Sequence, residues 1–254
     1  MKRKYEIAVL SRGGFARALR IYVPKNADRA VIMHDGQNLF EDEVATYKKS
    51  WRAIDALKAE NIKNTAIIGI DSEGTREYDY LPFPCELTDN DKYHIRLVGG
   101  RADEYMAFIT EIVIPYLDKR FNFKLYGMLG SSAGGLATLY FAANKHPKFK
   151  AYGIFSAPLF VSPAAFEKFF KETRFDKDAY YKIYTGGSEH TGDVEPDYAD
   201  KEAQAFVHDS YKLMDELRGH GIKDIDLSIN NLGWHDELCW REPEREFFKK
   251  FSNL

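Results

Sequence analysis

Cysteine is scarce: the 254-residue chain has two, Cys85 and Cys239, far apart. A small secreted scaffold stapled by disulfides would carry more. Two reduced thiols in a cytoplasmic protein are therefore expected. A long apolar run is also missing. A membrane helix needs about 20 consecutive apolar residues, and no stretch approaches that. The start, Met1 to Gly14, has the positive charge of a secretory leader but no apolar segment behind it, because Tyr5 to Leu10 is short and alternates. Charge of one sign is absent too. Thirty-six Lys and Arg against 39 Asp and Glu leave a net charge of −3, which gives nucleic acid or an anionic membrane no footprint to bind. No internal repeat, low-complexity segment or linker divides the chain. Residues 1–254 read as one α/β domain, long enough to bury a full core without metals or disulfides.

What is present is alternation. Apolar, β-rich runs occur at Ala18 to Val23, Ala30 to Met33, Ala66 to Ile70, Leu125 to Leu129, Tyr152 to Phe155, Lys182 to Tyr184 and Ile225 to Ile229. Several are apolar nearly throughout, as strands buried on both faces of a parallel sheet are. Helical spacing lies between them: Val44, Tyr47, Trp51, Ile54 and Leu57; Tyr105, Phe108, Ile112 and Tyr116, with a kink expected at Pro115; Leu136, Tyr140 and Ala143; Trp240, Phe247 and Phe251. Such alternation implies a mostly parallel central sheet with helices on both faces. Ligands then bind at the carboxyl ends of the strands. Two segments, at about 72–101 and 158–180, are too long to be connections alone. They are read as ordered insertions that wall a cleft.

The segment Leu125 to Gly135 ends in Gly130-Ser-Ser-Ala-Gly-Gly135. Gly130, Ser132 and Gly134 fit G-x-S-x-G between a strand and a helix, the setting of a nucleophile on a strained turn. Ser132 is the candidate nucleophile, with Ser131 one residue off the motif. A serine hydroxyl needs a base, and the base needs an orienting carboxylate. His235 follows the last strand run and is the candidate base. His190, His208 and His220 also follow Ser132, but His208 falls in a helical pattern and His220 reads as a cap. Glu189, after the strand run at 182–184, is the candidate acid, with Asp193 its main competitor. The oxyanion needs two N–H donors. Ala133 supplies one and Gln37 the other, with Gly36 as the alternative.

His34-Asp-Gly-Gln-Asn-Leu-Phe40, Gly130-Ser-Ser-Ala-Gly-Gly135 and His235-Asp-Glu-Leu-Cys-Trp240 occur together. So do Gly99 to Tyr105, Ile114 to Arg120 and Arg76-Glu-Tyr78. This combination, over roughly residues 18–250, resembles the esterase family of α/β hydrolases that includes enterochelin esterase-like, esterase D-like and feruloyl esterase-like enzymes. The resemblance implies the α/β-hydrolase fold, with Ser132 as nucleophile, Glu189 as acid and His235 as base. The family often has Gly-Thr-Asn-Glu at the acid; here Gly186-Gly-Ser-Glu189 retains the carboxylate. Trp234 stands where small residues are usual. Asp35 and Trp234 are read as substrate-binding.

The expected activity is serine carboxylic ester hydrolysis through an acyl-enzyme, with a small-molecule ester as partner and no cofactor or metal. Acyl transfer would use the same residues, and an inactive binding module could share the fold. Metal-dependent hydrolysis would draw on His34, Asp35, His190, Asp193, His235 and Asp236, but no pair has helical i, i+4 spacing, and the serine motif would be unexplained.

Overall fold

Val, Ile and Met alternate direction along each strand, so a run that is apolar at every position must bury both faces. The computed structural model, which describes residues 4–88, 95–190 and 196–254, shows where those faces go. In chain order the elements are β1 (Glu6–Arg12), β2 (Phe15–Tyr22), β3 (Arg29–Met33), α1 (Ala53–Ala59), β4 (Thr65–Ile70), α2 (Arg76–Tyr80), β5 (Cys85–Thr88), β6 (Ile95–Val98), α3 (Ala102–Phe108), α4 (Ile114–Phe121), β7 (Leu125–Ser131), α5 (Ala133–Ala142), β8 (Phe149–Phe155), α6 (Pro163–Glu172), β9 (Tyr180–Gly186), α7 (Pro196–Gly219), β10 (Ile225–Asn230) and α8 (Glu237–Ser252).

Eight strands form one sheet in the order β1-β2-β4-β3-β7-β8-β9-β10. β1 and β2 pair antiparallel, as do β2 and β4; every later pairing is parallel. β5 and β6 pair antiparallel as a separate two-stranded sheet. The alternation of side chains splits the core into two layers. Val31, Met33, Ile67, Leu129 and Phe155 pack with α1 and α8 on one face. Ala30, Ile32, Ile68, Met128 and Ile154 pack with residues of α3 to α7 on the other. This is the α/β-hydrolase fold. Among the described residues no helix is long and apolar enough to cross a membrane.

One helical expectation changes. Val44 and Tyr47 lie outside any helix, and only Ala53–Ala59 is helical there. Residues 41–52 are held instead by side chains: Asn38 Oδ1 accepts from Thr46 N–H at 2.9 Å, and Asp42 Oδ1 from Ser50 N–H at 2.9 Å. Around Pro115 the helical run is continuous but irregular. The chain widens into a π-helical turn at Ile109–Val113, and Pro115 lies in the first turn of α4, a position that tolerates a missing N–H.

α8 carries a liability. Glu244 lies one turn from Trp240 and Phe247, facing the sheet, and is fully buried with neither carboxyl oxygen hydrogen-bonded. Burial pushes its pKa well above the ordinary value of 4.5. A raised folded-state pKa means that ionisation opposes folding, so the cost grows as pH rises past the unfolded value. Glu244→Met keeps the volume and removes the polar atoms. It is expected to gain about 1–3 kcal/mol, the cost of a buried unpaired polar group. Thermal melts should show a rise of several degrees at pH 7 and a smaller one at pH 5.

Candidate active site

The carboxyl ends of β3, β7, β9 and β10 converge, and each delivers a candidate residue. Ser132 sits between β7 and α5 with φ 56° and ψ −129°. That left-handed φ is uncommon for a side chain larger than glycine. The turn is held because Ser132 N–H donates to Phe155 O at 2.9 Å. It is possible only because residue 130 is glycine: a Cβ there would lie 2.4 Å from Gly134 O. Ser131, the last residue of β7, is buried.

Glu189 follows β9 and is fully buried. Its two oxygens have separate partners. Oε2 lies 3.1 Å from His235 Nδ1, and Oε1 accepts from Gly186 N–H at 2.6 Å and from the Ser156 hydroxyl. His235 is on the loop between β10 and α8. Its ring is packed between Phe206, with ring centroids 4.9 Å apart, and the edge of Trp240 at 5.2 Å. Asp236 opens α8 as its N-cap, accepting from Cys239 N–H at 3.1 Å while pairing with Lys49 at 2.8 Å. The residue after His235 therefore anchors the helix that follows it. Ser132 and His235 line one cleft of about 480 Å³, together with Tyr47, Lys49, His190 and Glu237.

The loop after β3 is tied to the end of β4: Gln37 Nε2 donates to Ser72 Oγ at 2.8 Å, and Ser72 N–H to Gln37 Oε1 at 3.0 Å. Gln37 and Ala133 each lie in the first turn of a helix, where backbone N–H groups have no intrahelical acceptor.

Asp35, expected to bind substrate, is buried and engaged. Arg76 donates to both its oxygens at 2.8 Å. Burial alone would raise the Asp35 pKa, but the Arg76 guanidinium outweighs it and holds the group ionised, below its usual value. Asp35 thus braces the loop bearing Gln37. Trp234 is 56% exposed and its ring lies tilted against that of His190, a cleft residue, with centroids 5.1 Å apart. Asp193 lies outside the described residues. His208 is exposed on α7, and His220 packs edge-on against Phe175.

His34 is buried beneath the site. Its Nδ1 lies 2.8 Å from the Tyr105 hydroxyl, and burial pushes its pKa down to about 4, so the ring is neutral. Among the described residues, no three His, Cys, Asp or Glu side chains group as a metal site. Sequence reasoning missed Glu237, which is buried at the cleft with its pKa raised by burial and accepts from Asn38 Nδ2 at 3.0 Å. It also missed Ser156, although that residue directly follows a strand run.

The family model described as "Putative esterase" matches residues 15–242. The chain belongs to this esterase family. Comparison with curated protein sequences finds no match. Among solved structures, the esterase is similar to siderophore hydrolase EstA from Aspergillus nidulans, with a TM-score of 0.78 at 18% identity, covering 99% of this chain and 95% of that one. It is also similar to an IroE-like serine hydrolase from Shewanella oneidensis, with a TM-score of 0.74 at 19% identity and coverage of 98% and 80%. The enterobactin esterase FES from Shigella flexneri gives 0.65 at 12% identity, with coverage of 98% and 59%. At these identities the likenesses show the shared fold. Family membership makes the protein an ester hydrolase.

Proposed function

We propose that this esterase cleaves carboxylic esters through an acyl-enzyme on Ser132, with His235 as base and Glu189 as acid. The observation that carries this reading is the His235 Nδ1 to Glu189 Oε2 contact of 3.1 Å in the cleft that Ser132 also lines. Glu189 as a carboxylate accepts the Nδ1 proton, which leaves Nε2 with a lone pair for the serine proton. Ser132 Oγ attacks the ester carbon while His235 takes its proton. The oxyanion is met by the N–H groups of Ala133 and Gln37. Collapse expels the alcohol, which leaves with that proton. Water then attacks the acyl-enzyme, again giving its proton to His235, and the carboxylic acid departs.

The siderophore hydrolases among the neighbours make siderophore esters the first substrates to try, in a panel with acetyl, butyryl and feruloyl esters. Free thiols at Cys85 and Cys239 suit a reducing cytoplasm. The acid is tested by Glu189→Gln. The amide retains the shape but cannot stabilise the imidazolium. It is expected to lower kcat on a p-nitrophenyl ester by at least about 10²-fold, with circular dichroism unchanged. Activity that survives EDTA while Glu189→Gln is impaired supports the reading. Full activity in folded Glu189→Gln assigns the acid elsewhere.

A further inference from the structure

The buried hydroxyl of Ser156 has no part in the reaction just described, yet it contacts the acid. Ser156 follows β8, the strand between those that carry Ser132 and Glu189. It is fully buried, has φ 47°, and its N–H donates to Tyr184 O at 2.7 Å. Trp240 Nε1 lies 2.9 Å from Ser156 Oγ. An indole N–H can only donate, so Ser156 Oγ accepts there. The hydroxyl proton is then directed at Glu189 Oε1, the oxygen that also accepts from Gly186 N–H. Every proton in the chain Trp240, Ser156, Glu189 is thereby assigned. Oε1 is occupied by two donors, and Oε2 is left for His235 Nδ1–H.

We propose that Ser156 is a positioning residue: its hydroxyl, oriented by Trp240, holds Glu189 as a carboxylate with Oε2 turned to His235. Trp240 also packs against the His235 ring, so one hydroxyl fixes both the carboxylate and the wall of the imidazole. This rests on the assignment of Glu189 as the acid. A donor to a carboxylate stabilises its ionised form. Removing one of two donors raises the proton affinity of the coupled Glu189–His235 pair, because the first proton taken up belongs to the pair. The acid limb of the pH–kcat/KM profile should therefore move to higher pH. The other titratable groups around the pair are Tyr184 on β9, Cys239 and Glu237 on α8, and Tyr47, His190 and the Lys49–Asp236 pair at the cleft. Substituting Ser156 removes none of these groups.

The test is Ser156→Ala, with Ser156→Gly as a second variant because glycine takes a left-handed φ without strain. Glu189→Gln is measured in parallel on the same p-nitrophenyl ester. Both Ser156 variants are expected to lose about 10-fold in kcat with KM within about twofold, the split for an interaction made in the transition state. Their acid limb should rise by about half a pH unit. A loss of thermal stability with an unmoved limb and unchanged kcat overturns the proposal and leaves Ser156 a packing residue. If Glu189→Gln is itself fully active, the acid assignment fails and this inference fails with it. If Glu189→Gln is impaired while the Ser156 variants behave as wild type, only this inference fails.

Discussion

Ser132→Ala is expected to lower kcat/KM on an aryl ester by on the order of 10³-fold or more, leaving the rate that the oxyanion donors and binding alone provide. The loss should be purely chemical. Alanine carries the same Cβ, so the cost of φ 56° is unchanged, and the N–H bond to Phe155 O does not involve the side chain. Circular dichroism and Tm should match the wild type. Ser131→Ala is the comparator, because it removes a hydroxyl one residue away. Successive side chains on a strand point to opposite faces, so Ser131 cannot share the orientation of Ser132, and its variant should retain most activity. The reverse ranking would move the nucleophile to Ser131.

Sequence patterning carried the inner strands well, for a physical reason. β3, β4, β7, β8 and β9 are covered on both faces, so nearly every residue must be apolar, and the runs show directly. β1 is an exposed edge strand with Val9 71% exposed, and its residues bear little burial signal. The β5–β6 sheet carries exposed Ile95 and Leu97 and was likewise invisible. Helical spacing at Val44 and Tyr47 misled because three- or four-residue intervals also arise in a loop held by its own side chains. The candidate site was more legible than the periphery. A serine on a glycine-framed turn, a carboxylate after β9 and a histidine after β10 each follow from the rule that function gathers at strand ends. The opposite holds for residues recruited from afar. Asp35 sits at such an end but is spent on Arg76, 41 residues away, and Ser156 gains its meaning from Trp240, 84 residues away. No local pattern announces either partnership.

His235→Ala should be nearly as inactive as Ser132→Ala, again by about 10³-fold, and the double variant should fall within a few-fold of either. Ser132 and His235 act as one unit in the reading above: without a base the hydroxyl stays protonated and is a poor nucleophile, and without the hydroxyl the base has no proton to take. Two independent contributions would multiply and push the double variant another thousandfold lower, so the cycle separates a coupled pair from two binding residues. The competing histidine in the same cleft is His190, whose ring lies tilted against Trp234 and whose Nδ1 lies 3.4 Å from Ser188 O. Among the described residues, no carboxylate hydrogen-bonds it. His235 Nδ1 lies 3.1 Å from the buried Glu189, which in the proposed reading holds the Nδ1 proton and stabilises the cation formed when Nε2 takes another. His190→Ala should therefore change KM more than kcat, through the cleft wall. If His190→Ala instead matched the loss in Ser132→Ala while His235→Ala retained activity, the base would be His190, and the Glu189–His235 contact would be structural.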